Sequence, residues 1–167
     1  MESISGAAGR VIGRRYKLKQ HIFTGGMGDV FKAFDRKRKC FVVVKIAANN
    51  DKYFNLVKCL KREALALARL NHPRIVNLLD FGYINQQTCF IVLEYVDGLD
   101  LANFIYRSGR LSIDAVIMMG KQVLEGLEVI HRAGLVHRDL KPENLIITLG
   151  GIKIIDFGLV AFVLMAD

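Results

Sequence analysis

The stretch HRDLKPENLIITLGGIKIIDFG, His137–Gly158, decides how this chain is read. Within it LIIT (145–148) and IKII (152–155) are two β-branched runs flanking LGG, a short hairpin with a glycine turn. Antiparallel pairing brings the open ends of a hairpin together. Asn144, just before the first strand, and Asp156, just after the second, therefore present side-chain oxygens to a common point. Two hard oxygen donors suit Mg²⁺, with water and phosphate completing the octahedron. Asp139 lies five residues before Asn144, in a loop that Pro142 holds open by biasing Lys141 toward an extended backbone. A second carboxylate thus faces the same place. The competing reading makes Asp139 and Asp156 ordinary turn residues.

Upstream of this stretch the pattern is helical. LDLANFIY (99–106) reads as a short helix, and Ser112 is placed to cap a longer one running to about Ala133, with Gly134 as its stop. Val116, Met119, Val123, Leu127 and Ile130 form its apolar stripe. Earlier still, the period changes. YKLKQHIF and DVFKAF alternate around TGGMG, which predicts two strands joined by a glycine-rich turn. CFVVVKIAA is a continuous β-branched run of strand length, and residues 54–70 carry a helical stripe of Leu56, Leu60, Ala64, Leu67 and Ala68. NLLDFGY and CFIVLEYV, separated by INQQT, complete a set of five strands and one helix. Residues 1–15 show no period and are expected to be a loosely held, basic arm.

Two positions in that first region stand out. Glu63 lies between Leu60 and Leu67, so the stripe that buries the leucines draws a carboxylate inward, and no Lys or Arg lies three or four residues away to neutralise it. Lys45, at the end of FVVVK, faces the same desolvation problem and is the expected partner. The alternative has the two side chains reaching solvent separately. Gly25, Gly26 and Gly28 let a turn bring backbone N–H groups close to phosphate oxygens, although glycine-rich hairpin turns also arise for purely structural reasons.

Composition bounds the rest. With 167 residues, 52% hydrophobic and 24% charged, 2 Pro and 15 Gly, a disordered or collagen-like chain is excluded. No run approaches the roughly 18 apolar residues of a spanning helix, and MESISGAAGR lacks the apolar centre of a secretory signal, so a cytoplasmic protein without a membrane span is expected. Cys40, Cys59 and Cys89 form no CxxC pair and read as reduced packing residues. The net charge of +8 is concentrated at one end: residues 1–45 carry 11 basic and 3 acidic groups, the remainder 13 of each. Arg36–Lys39 is a basic run without interleaved aromatics, read as a solvated turn rather than as a nucleic-acid or membrane contact.

Taken in order, TGGMGDV, VVVK, Glu63, HRDLKPEN and DFG resemble the first lobe and catalytic loop of a protein kinase, over residues 16–160. Lys141 resembles the serine/threonine branch and GGMG the eukaryotic-like kinases of bacteria. The resemblance implies an α+β, two-lobed fold with a five-stranded antiparallel sheet and helix C in the first lobe (16–97) and a partial, helical second lobe (98–167). It also implies ATP-dependent transfer to a Ser or Thr hydroxyl of a protein substrate, with ATP and Mg²⁺ as cofactors. Lys45, paired with Glu63, would grip the α- and β-phosphates, and Asn144 and Asp156 would hold Mg²⁺. Asp139 would orient the acceptor hydroxyl and take its proton, and Lys141 would help neutralise the γ-phosphoryl group. Adenine would meet Val30, Val43, Leu93, Glu94, Val96 and Ile146. Leu67, Leu78, His137 and Phe157 match the family's apolar spine, which gives His137 a structural role.

Three departures accompany the resemblance. Phe23 stands where the motif has its first glycine, and Val43 replaces the usual alanine. The chain ends at Asp167 with neither an activation segment nor an APE motif, so the helix from Ser112 is expected to turn apolar residues to water, and a truncated, inactive chain stays open. The alternatives are a non-catalytic ATP-binding remnant or scaffold, a kinase of small molecules, and a nucleic-acid binder using the basic first quarter.

Overall fold

The computed structural model describes residues 9–25, 28–48 and 56–163. The chain divides into two compact units, one formed by Met1–Ala64 with Leu78–Tyr95, the other by Leu65–Asn77 with Val96–Asp167. The fold is the mixed α/β arrangement expected, a sheet-rich unit and a unit carrying most of the helix.

The first unit is a six-stranded antiparallel sheet of order β1-β2-β3-β4-β6-β5, comprising Val11–Ile12, Tyr16–Gly25, Gly28–Asp35, Cys40–Ala48, Leu78–Asn85 (β5) and Thr88–Glu94 (β6). The five expected strands are all present. The sixth, β1, falls inside the segment read as a loose arm: Val11 and Ile12 pair with Lys17 and Tyr16, and the Gly9 N–H donates to the Leu18 carbonyl at 2.9 Å. Two residues are too few for alternation to reveal a strand, whereas the buried Ile12 side chain gives it a reason to form. One sheet face carries Ile12, Tyr16, Leu18, Phe31, Ala33, Val42, Val44, Ile46, Phe90 and Val92 as a continuous buried cluster. Tyr16 meets Phe90 edge-on and donates its phenol to Asp80. Burial, followed by that hydrogen bond, pushes the Tyr16 hydroxyl well above the ordinary tyrosine range.

Helix α1, Leu56–Leu67, ends three residues before the end of the periodic run that predicts it. Leu60, Ala64 and Leu67 are buried as expected, whereas Ala68 lies beyond the helix end and is exposed. Glu63 is buried with the leucines.

In the second unit Leu99–Asp100 is a two-residue strand, β7, rather than the start of a helix. The Asp100 carboxylate accepts the Asn103 N–H at 2.8 Å and caps α2, Leu101–Ser108. Helix α3, Ile113–Arg132, begins at the expected cap, with Ser112 Oγ accepting the Ala115 N–H at 3.2 Å. Gly134, at φ 69°, follows its end. Of its stripe only Ile130 is fully buried. Val116 is exposed, as are Ile113, Ile117, Met118 and Leu124. Leu135–Val136 (β8) pairs with Ala161–Phe162 (β11). The decisive hairpin is β9, Leu145–Thr148, and β10, Gly151–Ile154, with β7 added on the open edge of β9. Gly151 pairs with Thr148, so the turn is only Leu149-Gly150, one residue tighter than the sequence suggests. Thr148 Oγ1 supports it, accepting from the Gly150 N–H and donating to the Gly151 carbonyl. Gly126 is buried where a Cβ would crowd Ile154, which lets α3 lie close to the hairpin. No helix among the described residues is long and apolar enough to cross a membrane.

Candidate functional site

In the first unit, register decides which side chains share a face. Val30 lies opposite Lys45 and Lys32 opposite Val43 across β3–β4, while Leu93 lies opposite Val43 across β4–β6. Directly opposed residues project to the same side, so Val30, Val43, Lys45 and Leu93 form one patch on the face away from the buried cluster. Glu94, opposite Val42, and Val96, beyond the end of β6, are partly buried. On this patch Lys45 Nζ donates to Glu63 Oε1 at 2.6 Å. The strand lysine and the helix carboxylate solve each other's burial, and neither reaches solvent separately.

Gly28, at φ 111°, sits where a Cβ would run into the Ile46 carbonyl, so its backbone conformation and close packing both require glycine. Gly25 lies under the Phe23 ring, which occupies the space a Cβ there would need, and Phe23 is otherwise exposed. Gly26 lies outside the described residues.

In the second unit, backbone hydrogen bonds assemble the loop around the hairpin's open end. The Ile155 N–H donates to the Asn144 carbonyl at 2.9 Å, which ties the two ends together and brings Asp156 to Asn144 as antiparallel pairing requires. The buried His137 ring joins the same point from the other side. Its Nδ1 accepts the Asp139 N–H at 3.3 Å, which leaves Nε2 to donate to the Ile155 carbonyl at 3.1 Å. His137 packs edge-on against the buried Phe157, ring centroids 4.8 Å apart. This ring is structural: both nitrogens are engaged with backbone.

Asn144 is buried, and its amide nitrogen donates to the Asp139 carbonyl at 2.8 Å and to Asp139 Oδ2 at 3.1 Å. Oδ1 is then what the side chain can offer a cation. Lys141 Nζ reaches Asp139 Oδ2 at 2.8 Å. That hydrogen bond, with Asn144 assisting, holds the Asp139 carboxyl below its ordinary range, while the negative charge of Asp156 works in the opposite sense. Asp139 also raises the Lys141 ammonium. Asp156 has φ 62° and Arg138 φ 67°, left-handed conformations for residues with side chains. Ile146, on β9, lies beside Gly98, where a Cβ would meet Ile146 and the Ile147 carbonyl. In the sequence Gly98 marks only the change from strand to helical pattern, because a lone glycine after a strand does not announce what its missing Cβ makes room for.

The donor set fits a hard divalent cation that arrives with phosphate. Asn144 and Asp156 would supply two oxygens; among the described residues no group of three or more His, Cys, Asp or Glu is placed to hold a metal. Two protein ligands with phosphate and water completing the shell is the way Mg²⁺ is commonly held.

A family model described as the protein kinase domain matches residues 16–165. The chain belongs to the protein kinase family. It is 41% identical over 155 residues to a probable serine/threonine-protein kinase of Clostridium perfringens, covering 90% of this chain and 22% of that protein. It is 38% identical over 164 residues to the serine/threonine-protein kinase PknA of Mycobacterium tuberculosis, covering 93% of this chain and 38% of that protein. Against the serine/threonine-protein kinase pkn3 of Myxococcus xanthus it is 37% identical over 159 residues, covering 90% and 29%. This kinase chain thus spans less than two fifths of the length of these curated relatives. Kinases of this family generally use Mg²⁺ and ATP and act on proteins.

Proposed function

We propose that this kinase chain binds ATP with Mg²⁺ and transfers the γ-phosphoryl group to a Ser or Thr hydroxyl of a protein. Lys45, oriented by Glu63, binds the α- and β-phosphates, with Gly25, Gly26 and Gly28 carrying backbone N–H groups toward them. Val30, Val43, Leu93, Val96 and Ile146 give adenine apolar surface, and the Glu94–Val96 backbone gives it hydrogen bonds. Asn144 and Asp156 hold Mg²⁺, which when bound screens the phosphate charge. Asp139 accepts a hydrogen bond from the acceptor hydroxyl and takes its proton as the new O–P bond forms and the bond to the departing ADP oxygen breaks. Lys141 offsets charge on the transferred group. Because Lys141 and Asn144 keep Asp139 a weak base, its contribution is orientation more than proton affinity.

The observation that carries this reading is the Asp139–Lys141–Asn144 cluster, tied by Ile155 and His137 to the backbone beside Asp156. The names of the relatives support the serine/threonine assignment. A second reading, a nucleotide binder without turnover, is favoured by Phe23, whose ring covers Gly25. Incubation with γ-labelled ATP, a serine- and threonine-bearing protein and a panel of small hydroxyl acceptors separates these readings. Label on protein, lost in Asp139→Asn while the nucleotide-induced melting shift survives, supports the kinase reading. A melting shift without label on any acceptor supports the binder, and label on a small acceptor alone overturns both.

A further inference from the structure

The β1–β2 turn, 13–15, and the β3–β4 turn, 36–39, lie side by side in the first unit, joined by the Arg36 N–H donating to the Arg15 carbonyl at 3.2 Å. A concavity of about 460 Å³ is lined by Arg14, Arg15, Arg36, Lys37 and Lys39, and by no acidic, aromatic or aliphatic residue. Two acids lie nearby: Asp80, whose Oδ2 is 3.8 Å from Arg15 Nη1, and Asp35, which is fully buried and also meets Arg38 Nη1 at 3.6 Å. Asp35 accepts Arg15 Nε at 2.7 Å and Arg15 Nη2 at 2.6 Å, together with the N–H groups of Lys37 and Arg38 at 2.9 and 3.1 Å. Asp35 therefore fixes the shape of the second turn and neutralises Arg15. Among the described residues, the side chains of Arg14, Arg36, Lys37 and Lys39 make no ion pair.

Backbone strain marks the same place. Among the described residues four non-glycine residues have positive φ. Arg138 and Asp156 belong to the loop already described; the other two are Arg14, at 59°, and Lys39, at 58°, both lining this concavity. Glycine or asparagine takes up that conformation at less cost, so the cation at each position stands against local preference. Four unpaired cations held around one recess also repel one another until an anion joins them.

From this we infer that the recess is a binding site for a phosphomonoester dianion, separate from the nucleotide-binding residues. A guanidinium fork matches phosphate oxygens in pairs, and a phosphomonoester brings close to two negative charges where a carboxylate brings one. A recess formed by two tight turns accepts a singly presented group. It has neither the aromatic platform that stacks bases nor the apolar side chains that enter a bilayer. The dianion can come from a phosphoserine or phosphothreonine of a protein, or from a small phosphorylated molecule.

The whole chain is titrated, by fluorescence anisotropy, into a labelled phosphoserine peptide and into the same peptide unphosphorylated, with inorganic phosphate as competitor. Phosphatidylserine vesicles and single-stranded RNA are assayed alongside. The phosphopeptide is expected to bind at least about tenfold more tightly than its unphosphorylated form, with affinity falling as salt rises. Displacement by inorganic phosphate at comparable concentration marks a site that reads the phosphoryl group alone; displacement only by phosphopeptide marks a protein source. Arg14→Gly, Lys39→Gly and Lys37→Ala should each weaken binding about tenfold or more, and the two glycine variants should melt no lower than the parent. Asp156→Ala should bind the phosphopeptide unchanged, which keeps this site's failure distinct from failure of the kinase reading. Equal affinity for both peptides, unchanged affinity in Lys37→Ala, or binding confined to vesicles or RNA would overturn the inference.

Discussion

Two lysine–carboxylate pairs among the described residues lie in opposite surroundings. Lys45 meets Glu63 at 2.6 Å with side chains 13% and 2% exposed, whereas Lys141 meets Asp139 at 2.8 Å with 47% and 28% exposed. The chemistry is alike, and solvent makes the difference. The first pair links a strand to a helix in dry surroundings, where removing one charge takes away a close, desolvated partner of the other. The second sits in water, where a salt bridge adds little stability and its members can exchange partners. One pair is therefore a fixed support. The other is an exposed pair that water and ions can reach.

The largest effect that could break this contrast is on the buried pair. Lys45→Met should lower unfolding free energy by about 3 kcal/mol in urea titration, and adding Glu63→Leu should recover most of that loss. If the double variant is no more stable than the single, burial is not what couples the two. A third pair sharpens the comparison, because Arg15–Asp35 joins a fully buried carboxylate to a partly exposed guanidinium. Asp35→Asn should cost about 2 kcal/mol at neutral pH. Arg15 holds the Asp35 carboxyl far below its ordinary range, so its contribution is complete above the unfolded carboxyl's pKa of about 3.9 and is lost as pH falls below that. Parent and variant should accordingly converge in acid.

At the exposed pair, Asp139→Asn or Lys141→Ala should leave stability almost unchanged, and 1 M salt should erase any difference. The smallest effect is its pH dependence. Asp139 is depressed in the folded chain, so any stabilisation from it exists above about pH 4 and fades below. A gap between parent and Asp139→Asn that widens on acidification would contradict the arrangement.

How far sequence alone reaches follows the same division. Glu63 betrayed its burial because a helical stripe carried it inward with no neutralising neighbour, and Lys45 followed from the strand that ends in it. Asn144 and Asp156 were placed by hairpin geometry, which survives a one-residue error in the turn. What escaped were contacts made at a distance or by very short elements. Two-residue strands such as Val11–Ile12 and Leu99–Asp100 exist only because a neighbour supplies their hydrogen bonds. Arg36–Lys39 is the exposed turn that its charge predicts, but its shaping by Asp35 and its junction with the β1–β2 turn are not visible locally. Gly98 and Gly126 are defined by what lies where their Cβ would be, which no local pattern reports.

The most direct test of the account is the melting shift that ATP induces with and without magnesium, in the parent, Lys45→Met and Asp156→Ala. The account predicts a rise in the parent that requires magnesium and is absent from both variants, each compared with its own nucleotide-free melting. An undiminished rise in both variants, or one in the parent indifferent to magnesium, would contradict it.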